Sequence, residues 1–388
     1  MKHRIALIVS APMTAKVFLR NIIIKLSQQY EVTLFANDPG LNQIGDLKKY
    51  VTYNHLPVMR NITPLRDLVC VWRAFRCFRH ESYDLIHSIT PKSGLVSMLA
   101  GKMAGVNIRV HTFTGQVWAT KKGVRKFILK FVDKIITYMA TIVYVDSPSQ
   151  KEFLVRENVV RAEEALVMAY GSISGVDVNK FKPRPEIRNQ VRRELNISND
   201  LPIALYLGRI KREKGIIELI YAFKEILDSG ERCGLVLVGP DEDGIRDEIN
   251  GILGKEIHAI RFVNYTEQPE RFFNSADIFC LPSHREGFGS VIIEAAACGL
   301  PSVASRIYGI TDAVVDGSTG VLHEPGNVTQ IKNAILCLFK NEELRRRMGD
   351  AARKRAIGQF SESRLTEAWL GAYKNLLYNA EHDTRSST

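Results

Sequence analysis

The chain has 388 residues, room for two domains that each bury a core, and 24% charged with 45% hydrophobic residues excludes a disordered polymer. Its net charge of +11 is one-sided: residues 1–178 hold 24 Lys and Arg against 13 Asp and Glu, while residues 179–388 hold 29 of each. No run of 18 apolar residues occurs, which excludes a bilayer-spanning helix, and the six cysteines show neither a CxxC pair nor a metal-ligand spacing.

The opening MKHRIALIVSAPM has only five apolar residues in a row, so it reads as a first strand, Arg4–Val9, and not as a signal peptide. With cysteines suited to a reducing compartment, a cytoplasmic protein is expected. An amphipathic helix over Lys16–Gln29 and a strand over Glu31–Ala36 follow. The pattern resumes with a strand at Leu85–Ile89, a helix at Lys92–Ala104, a strand at Ile108–Thr112, a helix at Gly123–Met139 and a strand at Thr141–Asp146. Short β-branched runs alternating with helical patterns predict βαβ units and a parallel sheet. Ligands of such sheets sit on the loops at the carboxyl edge, here Ser10–Ala15, Thr90–Lys92 and His111–Trp118.

Gly171–Pro185 breaks the rhythm with four Gly and Pro residues, which places a domain boundary near residue 178. A helix over Pro185–Leu195 opens the second half. Strands are then predicted at Ile203–Leu207, Gly234–Val238, Ile260–Phe262 and Ile278–Leu281, with helices at Gly215–Asp228, Asp241–Leu253 and Gln268–Ser275. Short strands at Ser302–Ser305 and Gly320–Leu322 precede a helical tail of Val328–Lys340, Glu342–Gln359 and Arg364–Leu377, and the polar residues after Tyr378 are expected to fray.

The stretch PSHREGFGSVIIEAAACG, Pro282–Gly299, concentrates the chemistry. A glycine loop opening a helix at Ser290, read as its N-cap, aims free N–H groups and a positive dipole end at an anion. Glu286 and Glu294 flank that position. Because carboxylates repel phosphate, each suits a neutral hydroxyl, and a ligand both phosphorylated and rich in hydroxyls is a nucleotide-sugar. On spacing alone, an ordinary loop-to-helix junction with Glu294 exposed fits as well. LGRIKREKG, Leu207–Gly215, leaves a strand with Gly208, Arg209 and Lys214; a guanidinium fork and a mobile ammonium suit a diphosphate, and a solvated basic turn is the plain alternative.

Together with GPDEDG (Gly239–Gly244), FVNYTEQ (Phe262–Gln268), GVDVNKFKP (Gly175–Pro183) and CGLPSVAS (Cys298–Ser305), these blocks resemble the retaining glycosyltransferases of family 4. ITPKSGL (Ile89–Leu95) and HTFTGQVW (His111–Trp118) are similar to the branch that builds O-antigen, capsule and other lipid-linked oligosaccharides. The resemblance implies an α/β GT-B fold: two facing Rossmann-like domains at residues 1–178 and 179–363, with residues 364–388 as a helix crossing back to the N-domain. It implies that Arg209 and Lys214 clamp the donor diphosphate, Glu286 holds the donor sugar and Glu294 the ribose. Gly208 borders the donor, Phe288, Gly289 and Ser290 offer backbone N–H groups, and Val263, Asn264 and Tyr265 edge the base. His111 lies near the reacting carbon, with Thr14 and Lys92 beside it on the acceptor side. The expected reaction moves a hexose or N-acetylhexosamine from a UDP-sugar to a polyprenyl-diphosphate-linked glycan, without a metal. A nucleotide-sugar 2-epimerase of similar fold and a non-catalytic nucleotide-binding subunit are the alternatives.

The loop Ser10-Ala11-Pro12-Met13-Thr14 departs from the family pattern, since many relatives carry a glycine pair there. Asp241-Glu242-Asp243 is formally a D-x-D, a divalent-cation motif, but acids at a helix start also complement the dipole, and that is the reading adopted. TKKGVRKFILKF (Thr120–Phe131) joins basic residues to Trp118, Phe127, Ile128 and Phe131, as a segment resting on an anionic membrane surface would; a core-facing helix with a solvated basic face is the alternative. No nucleic-acid motif accompanies the charge.

Overall fold

A computed structural model of the chain describes residues 2–41, 43–59 and 63–386. It divides into two compact units, residues 1–174 with 362–388, and residues 175–361. The division falls four residues before the expected boundary, because Val176 already donates its N–H to Phe360 of the second unit.

The N-terminal unit contains β1 (Arg4–Val9), α1 (Pro12–Phe18), α2 (Arg20–Gln29), β2 (Glu31–Ala36), β3 (Thr52–His55), α3 (Pro64–Glu81) and β4 (Leu85–Ile89). It continues with α4 (Pro91–Ala104), β5 (Ile108–Phe113), α5 (Gly123–Met139), β6 (Ile142–Val145), α6 (Pro148–Arg156) and β7 (Ala165–Val167). Among the described residues its strands form one parallel sheet in the order β3-β2-β1-β4-β5-β6-β7. Both faces are covered, so strands such as β1 and β4 are buried almost throughout. Where one amphipathic helix was expected over Lys16–Gln29, the chain turns at Leu19 between α1 and α2. β3, α3, α6 and β7 were not anticipated.

The C-terminal unit contains α7 (Pro185–Glu194), β8 (Ile203–Leu207), α8 (Ile216–Asp228), β9 (Gly234–Val238), α9 (Arg246–Leu253), β10 (Ile260–Val263) and α10 (Pro269–Ser275). Then follow β11 (Ile278–Leu281), α11 (Ser290–Ala297), β12 (Ser302–Ser305), α12 (Ile310–Ala313), β13 (Gly320–His323), α13 (Val328–Lys340) and α14 (Glu342–Phe360). Its described strands make a second parallel sheet, β10-β9-β8-β11-β12-β13. α9 starts later than expected because the Asp241 carboxylate caps the preceding turn, accepting the N–H groups of Ile245 and Arg246.

The last helix, α15 (Glu362–Ser386), belongs to the N-terminal unit and runs beyond the expected fraying point at Tyr378. Leu365, Trp369, Tyr373 and Leu377 bury one stripe against α2 and the sheet. Polar contacts fix its register: Tyr373 Oη lies 2.5 Å from His87 Nδ1, His87 Nε2 lies 2.8 Å from Thr112 Oγ1, and Trp369 donates to the Ile173 carbonyl. The opposite face of the sheet carries α3, α4 and α5 over a separate apolar cluster. Among the described residues no helix is long and apolar enough to cross a membrane.

Candidate functional site

In each sheet the strand order reverses direction once, between β1 and β4 and between β8 and β11, and the loops at such points open a crevice at the carboxyl edge. In the C-terminal unit the loop after β8 carries Gly208, Arg209 and Lys214, and the loop after β11 carries Glu286. Two glycines hold these loops in place. At Gly239 a Cβ would fall 1.9 Å from the Gly208 carbonyl oxygen, and at Gly215 one would fall 2.0 Å from that of Pro282. Backbone therefore meets backbone where a side chain would separate the loops. Tyr206, wholly buried, adds a hydroxyl bond to the Arg209 carbonyl at 2.7 Å.

Lys214 Nζ sits 2.6 Å from Glu286 Oε1, which also accepts from Ser283 Oγ at 2.8 Å. Arg209 is exposed on one side and reaches Glu242 at 3.2 Å and Glu213 at 3.9 Å. Glu213 also meets Arg285 at 3.3 Å, and with Arg285 and Lys214 beside it its carboxyl is held below the usual range despite burial. Each cation of the expected clamp thus rests against a carboxylate.

The helix behind this loop begins differently from the expectation. Gly289, at φ +77°, is the N-cap of α11 and Ser290 is its first residue, making no side-chain cap. Only a residue tolerating the left-handed region turns the chain this sharply, which leaves Ser290 no capping role. In the first turn of α11 the Ile292 N–H is taken by the Gly289 carbonyl at 2.8 Å, while the N–H groups at the very start of a helix lack an i−4 partner and favour an anion. Phe288 is buried, its ring 5.2 Å from that of Phe360, so only its backbone is on offer. Glu294 is drawn into the unit near Lys180 and Glu270, and burial pushes its carboxyl up to about 7. Val263 ends β10 and accepts the Gly239 N–H, Asn264 takes a bond from Arg246, and Tyr265 is exposed.

The N-terminal edge is built from side chains. Ser10 Oγ, at the end of β1, lies 2.9 Å from Thr90 Oγ1, and Thr90 occupies φ +83° while also meeting Ser93. Thr14 lies in the first turn of α1, since only Ser10 and Ala11 separate β1 from a helix that starts at Pro12. Lys92 is drawn in by Asp67 at 2.9 Å. His111 is wholly buried: Nδ1 meets Ser88 Oγ at 2.8 Å, Nε2 has no partner, and burial lowers its pKa to about 3, leaving a neutral ring. Gly94 leaves room for that ring, because a Cβ there would lie 2.4 Å from His111 Cε1. Trp118, grouped with the membrane-facing aromatics from its place in sequence, is buried and donates to Asp133 at 2.7 Å.

Two residues of these edges escaped sequence reasoning. Asp146, the residue after β6, has Oδ1 unpartnered and its carboxyl pushed up to about 7 by burial; a lone acid following an apolar strand was the available signal. Glu242, the middle residue of the D-x-D, pairs with both Arg209 and Lys211, and Asp243 accepts the Arg212 N–H.

Comparisons with known proteins place the chain in a family. Residues 187–355 match the family described as "Glycosyl transferases group 1", and residues 15–171 match the "Glycosyl transferase 4-like domain". The chain is 31% identical over 328 residues to the capsular polysaccharide biosynthesis glycosyltransferase CapM of Staphylococcus aureus, covering 84% of this chain and 86% of that one. It is 23% identical over 327 residues to the UDP-Gal:alpha-D-GlcNAc-diphosphoundecaprenol alpha-1,3-galactosyltransferase of Escherichia coli, 83% of each chain. In fold it is similar to Anabaena HepE, solved in complex with UDP and glucose, with a TM-score of 0.81 at 19% identity over 96% of this chain and 100% of that one. The chain belongs to the family 4 type of glycosyltransferases, with the GT-B fold.

Proposed function

We propose that the protein is a retaining glycosyltransferase that moves a hexose or N-acetylhexosamine from a UDP-sugar to a hydroxyl of a polyprenyl-diphosphate-linked glycan, in the synthesis of a bacterial surface polysaccharide such as capsule or O-antigen. The observation that carries the reading is the Lys214–Glu286 ion pair on the loop that leads into α11, with Arg209 tied to that loop through Glu213, which Arg285 also holds. Cations and helix end take the diphosphate, Glu286 takes sugar hydroxyls and Glu294 the ribose. The reading is supported by the similarity to CapM, a capsular polysaccharide glycosyltransferase, and to a galactosyltransferase whose donor is UDP-Gal and whose acceptor is a diphosphoundecaprenol-linked sugar.

The acceptor hydroxyl attacks the anomeric carbon from the side of the departing diphosphate. A new C–O bond forms as the bond to the β-phosphate oxygen breaks, and the hydroxyl proton passes to a diphosphate oxygen. Arg209 and Lys214 stabilise the charge that develops there, and no carboxylate nucleophile or metal is needed. The capping bonds that Asp241 accepts occupy the acid a metal would otherwise recruit. His111, neutral, packs against Gly94, two residues beyond Lys92 on α4, and this supports placing it with Thr14 and Lys92 on the acceptor side. The acceptor is met at the inner face of the cytoplasmic membrane, a placement supported by the charge of the N-terminal unit and by exposed Phe127, Ile128 and Phe131 on α5.

The test is a screen of UDP- and GDP-sugars against a polyprenyl-diphosphate glycan, with products read by mass and anomeric configuration by NMR. Arg209→Ala and Lys214→Ala are each expected to slow transfer about 10²–10³-fold with the fold intact. Near-normal turnover in both, an inverted product, or an epimer formed from nucleotide-sugar alone sinks the proposal.

A further inference from the structure

α3 carries an exposed apolar row at the spacing of one helical face: Leu65 (82% exposed), Leu68 (63%), Val69 (50%) and Trp72 (55%). α5 repeats the spacing with Val124, Phe127, Ile128 and Phe131, also exposed, and the rings of Phe127 and Phe131 stack. Exposed apolar rows of this length are uncommon on a surface without a partner.

The two rows lean toward each other. On α3, Cys70 and Cys77 point to the β3 side, through the Pro57 carbonyl and Asn54, so the row, on the outward face, is tilted away from β3 and toward the α4 side. On α5, Lys126 and Lys130 reach Glu157 just past α6, so the flank bearing the second row faces α4 from the other side. Tyr138 of α5 confirms the direction, lying under the Lys102 ammonium of α4 at 4.5 Å. Half-buried Leu95 and Leu99 and exposed Met103 of α4 fill the space between.

The charge around this face has one sign. Arg66, Arg73, Arg76, Lys102, Lys122, Arg125 and Lys134 are exposed on or beside the three helices. Their acids are engaged elsewhere: Asp67 with Lys92, Glu81 with Arg4, and Asp133 inside against Trp118. A second copy of the chain would set these cations against each other, whereas anionic headgroups over hydrocarbon complement both the rim and the rows. We infer that α3, α4 and α5 form a single docking face for an anionic bilayer, with Trp72 entering the boundary between headgroups and hydrocarbon. The inference rests on the membrane-borne acceptor proposed above and adds a second rail and an orientation to it. In a parallel sheet the helix N-termini lie at the carboxyl edge of the strands, so the rows, in the first turns of α3 and α5, sit at the end where the acceptor-side residues lie.

Trp72 supplies its own probe, because Trp118 and Trp369 are 1% and 3% exposed. The full-length protein is mixed with phosphatidylglycerol or phosphatidylcholine vesicles bearing brominated acyl chains, and flotation and tryptophan emission are read together. Binding to the anionic vesicles with quenching is expected. Trp72→Phe should keep the binding and lose the quenching. Leu68→Gln with Trp72→Gln should weaken partition at least about tenfold while UDP binding and transfer to a short water-soluble acceptor stay unchanged. Vesicle-bound protein with unquenched Trp72, or wild-type partition of the double variant, overturns this face and leaves docking through α5 standing. Failure of the wild type to float with any vesicle overturns both. A dimer in light scattering that the double variant abolishes overturns the bilayer in favour of a second copy.

Discussion

The two units use the same βαβ grammar but build their carboxyl edges from different materials. In the C-terminal unit the edge is backbone: the loops after β8, β9 and β11 touch carbonyl to glycine, and its charged groups are paired. That unit is electrically neutral. In the N-terminal unit the edge is side chain, with Ser10, Thr90 and Ser93 in hydroxyl contact and buried His111 and Asp146 each holding an unpartnered atom. Its 27 Lys and Arg against 16 Asp and Glu carry the whole excess of +11. Backbone positions are hard to vary by mutation, while hydroxyls and buried acids change with one substitution. A site built for an invariant diphosphate suits the first material, and a site that must differ between acceptors suits the second.

The sharpest way to break this contrast is Gly239→Ala. Its Cβ would meet the Gly208 carbonyl at 1.9 Å with φ at +142°, and neither loop can yield without opening the sheet edge. A loss of about 3 kcal/mol or more is expected, with UDP binding lost alongside, read by thermal unfolding and calorimetry. A variant as stable as the wild type would show that the loops are held by something other than backbone contact.

Next in size is a pH effect. Glu294 is half-buried, and burial pushes its carboxyl up to about 7, above the ordinary carboxylate value, near Lys180 and Glu270. Between about pH 4.5 and 7 the folded state then holds a proton that the unfolded state has released, so this group's contribution falls as pH rises through that window. Glu294→Gln should therefore gain stability relative to the wild type by ~1–3 kcal/mol between pH 5 and 7.5, seen in melts at both values. The buried histidines of the N-terminal unit have the opposite sign. His87 and His111 titrate at about 3, so their neutral forms favour folding above about pH 6.5, and that advantage is lost as pH falls toward 3. A constant Glu294→Gln difference across the range would refute the assignment.

How far the sequence was legible follows the same division. Gly208, Arg209, Lys214 and Glu286 stand in short blocks whose order survives in one dimension, and α5 was bounded correctly because its apolar period is strong. α3 escaped because its apolar residues occupy two faces, Cys70, Val71, Ala74 and Phe78 inward and Leu65, Leu68, Val69 and Trp72 outward, so no single amphipathic stripe stands out. Ser290 was misread as a cap since Ser at that spacing is a common one, whereas the turn needs the left-handed backbone of Gly289. Trp118 looked membrane-facing beside its lysines, but its indole N–H has a buried partner fifteen residues on, in Asp133, which spacing does not reveal.

A smaller effect tests the side-chain edge. Thr90 holds φ +83°, a strained value for a β-branched residue, while joining Ser10 to Ser93. Thr90→Gly releases the strain and removes the hydroxyl. Stability should rise or fall by no more than about 1 kcal/mol, while transfer to the acceptor drops and UDP affinity holds. Equal losses in donor and acceptor binding would place Thr90 in the general scaffold.

The smallest effect concerns the charges at the backbone edge. Arg209 meets Glu242 at 3.2 Å and Glu213 at 3.9 Å, and Lys211 shares Glu242 at 3.1 Å. On the function proposed above, a diphosphate arriving at Arg209 would compete with carboxylates already there. Removing the nearer one by Glu242→Gln keeps the shape and frees the guanidinium. Because the pair is partly solvated, its strength is no more than about 1 kcal/mol, so UDP should bind up to about fivefold more tightly. The gain should shrink with added salt, since screening weakens the Glu242 contact in the wild type as well. Weaker UDP binding in Glu242→Gln would instead mean that the carboxylate holds Arg209 in its working position, and the paired charges of this edge would then be part of its preorganisation.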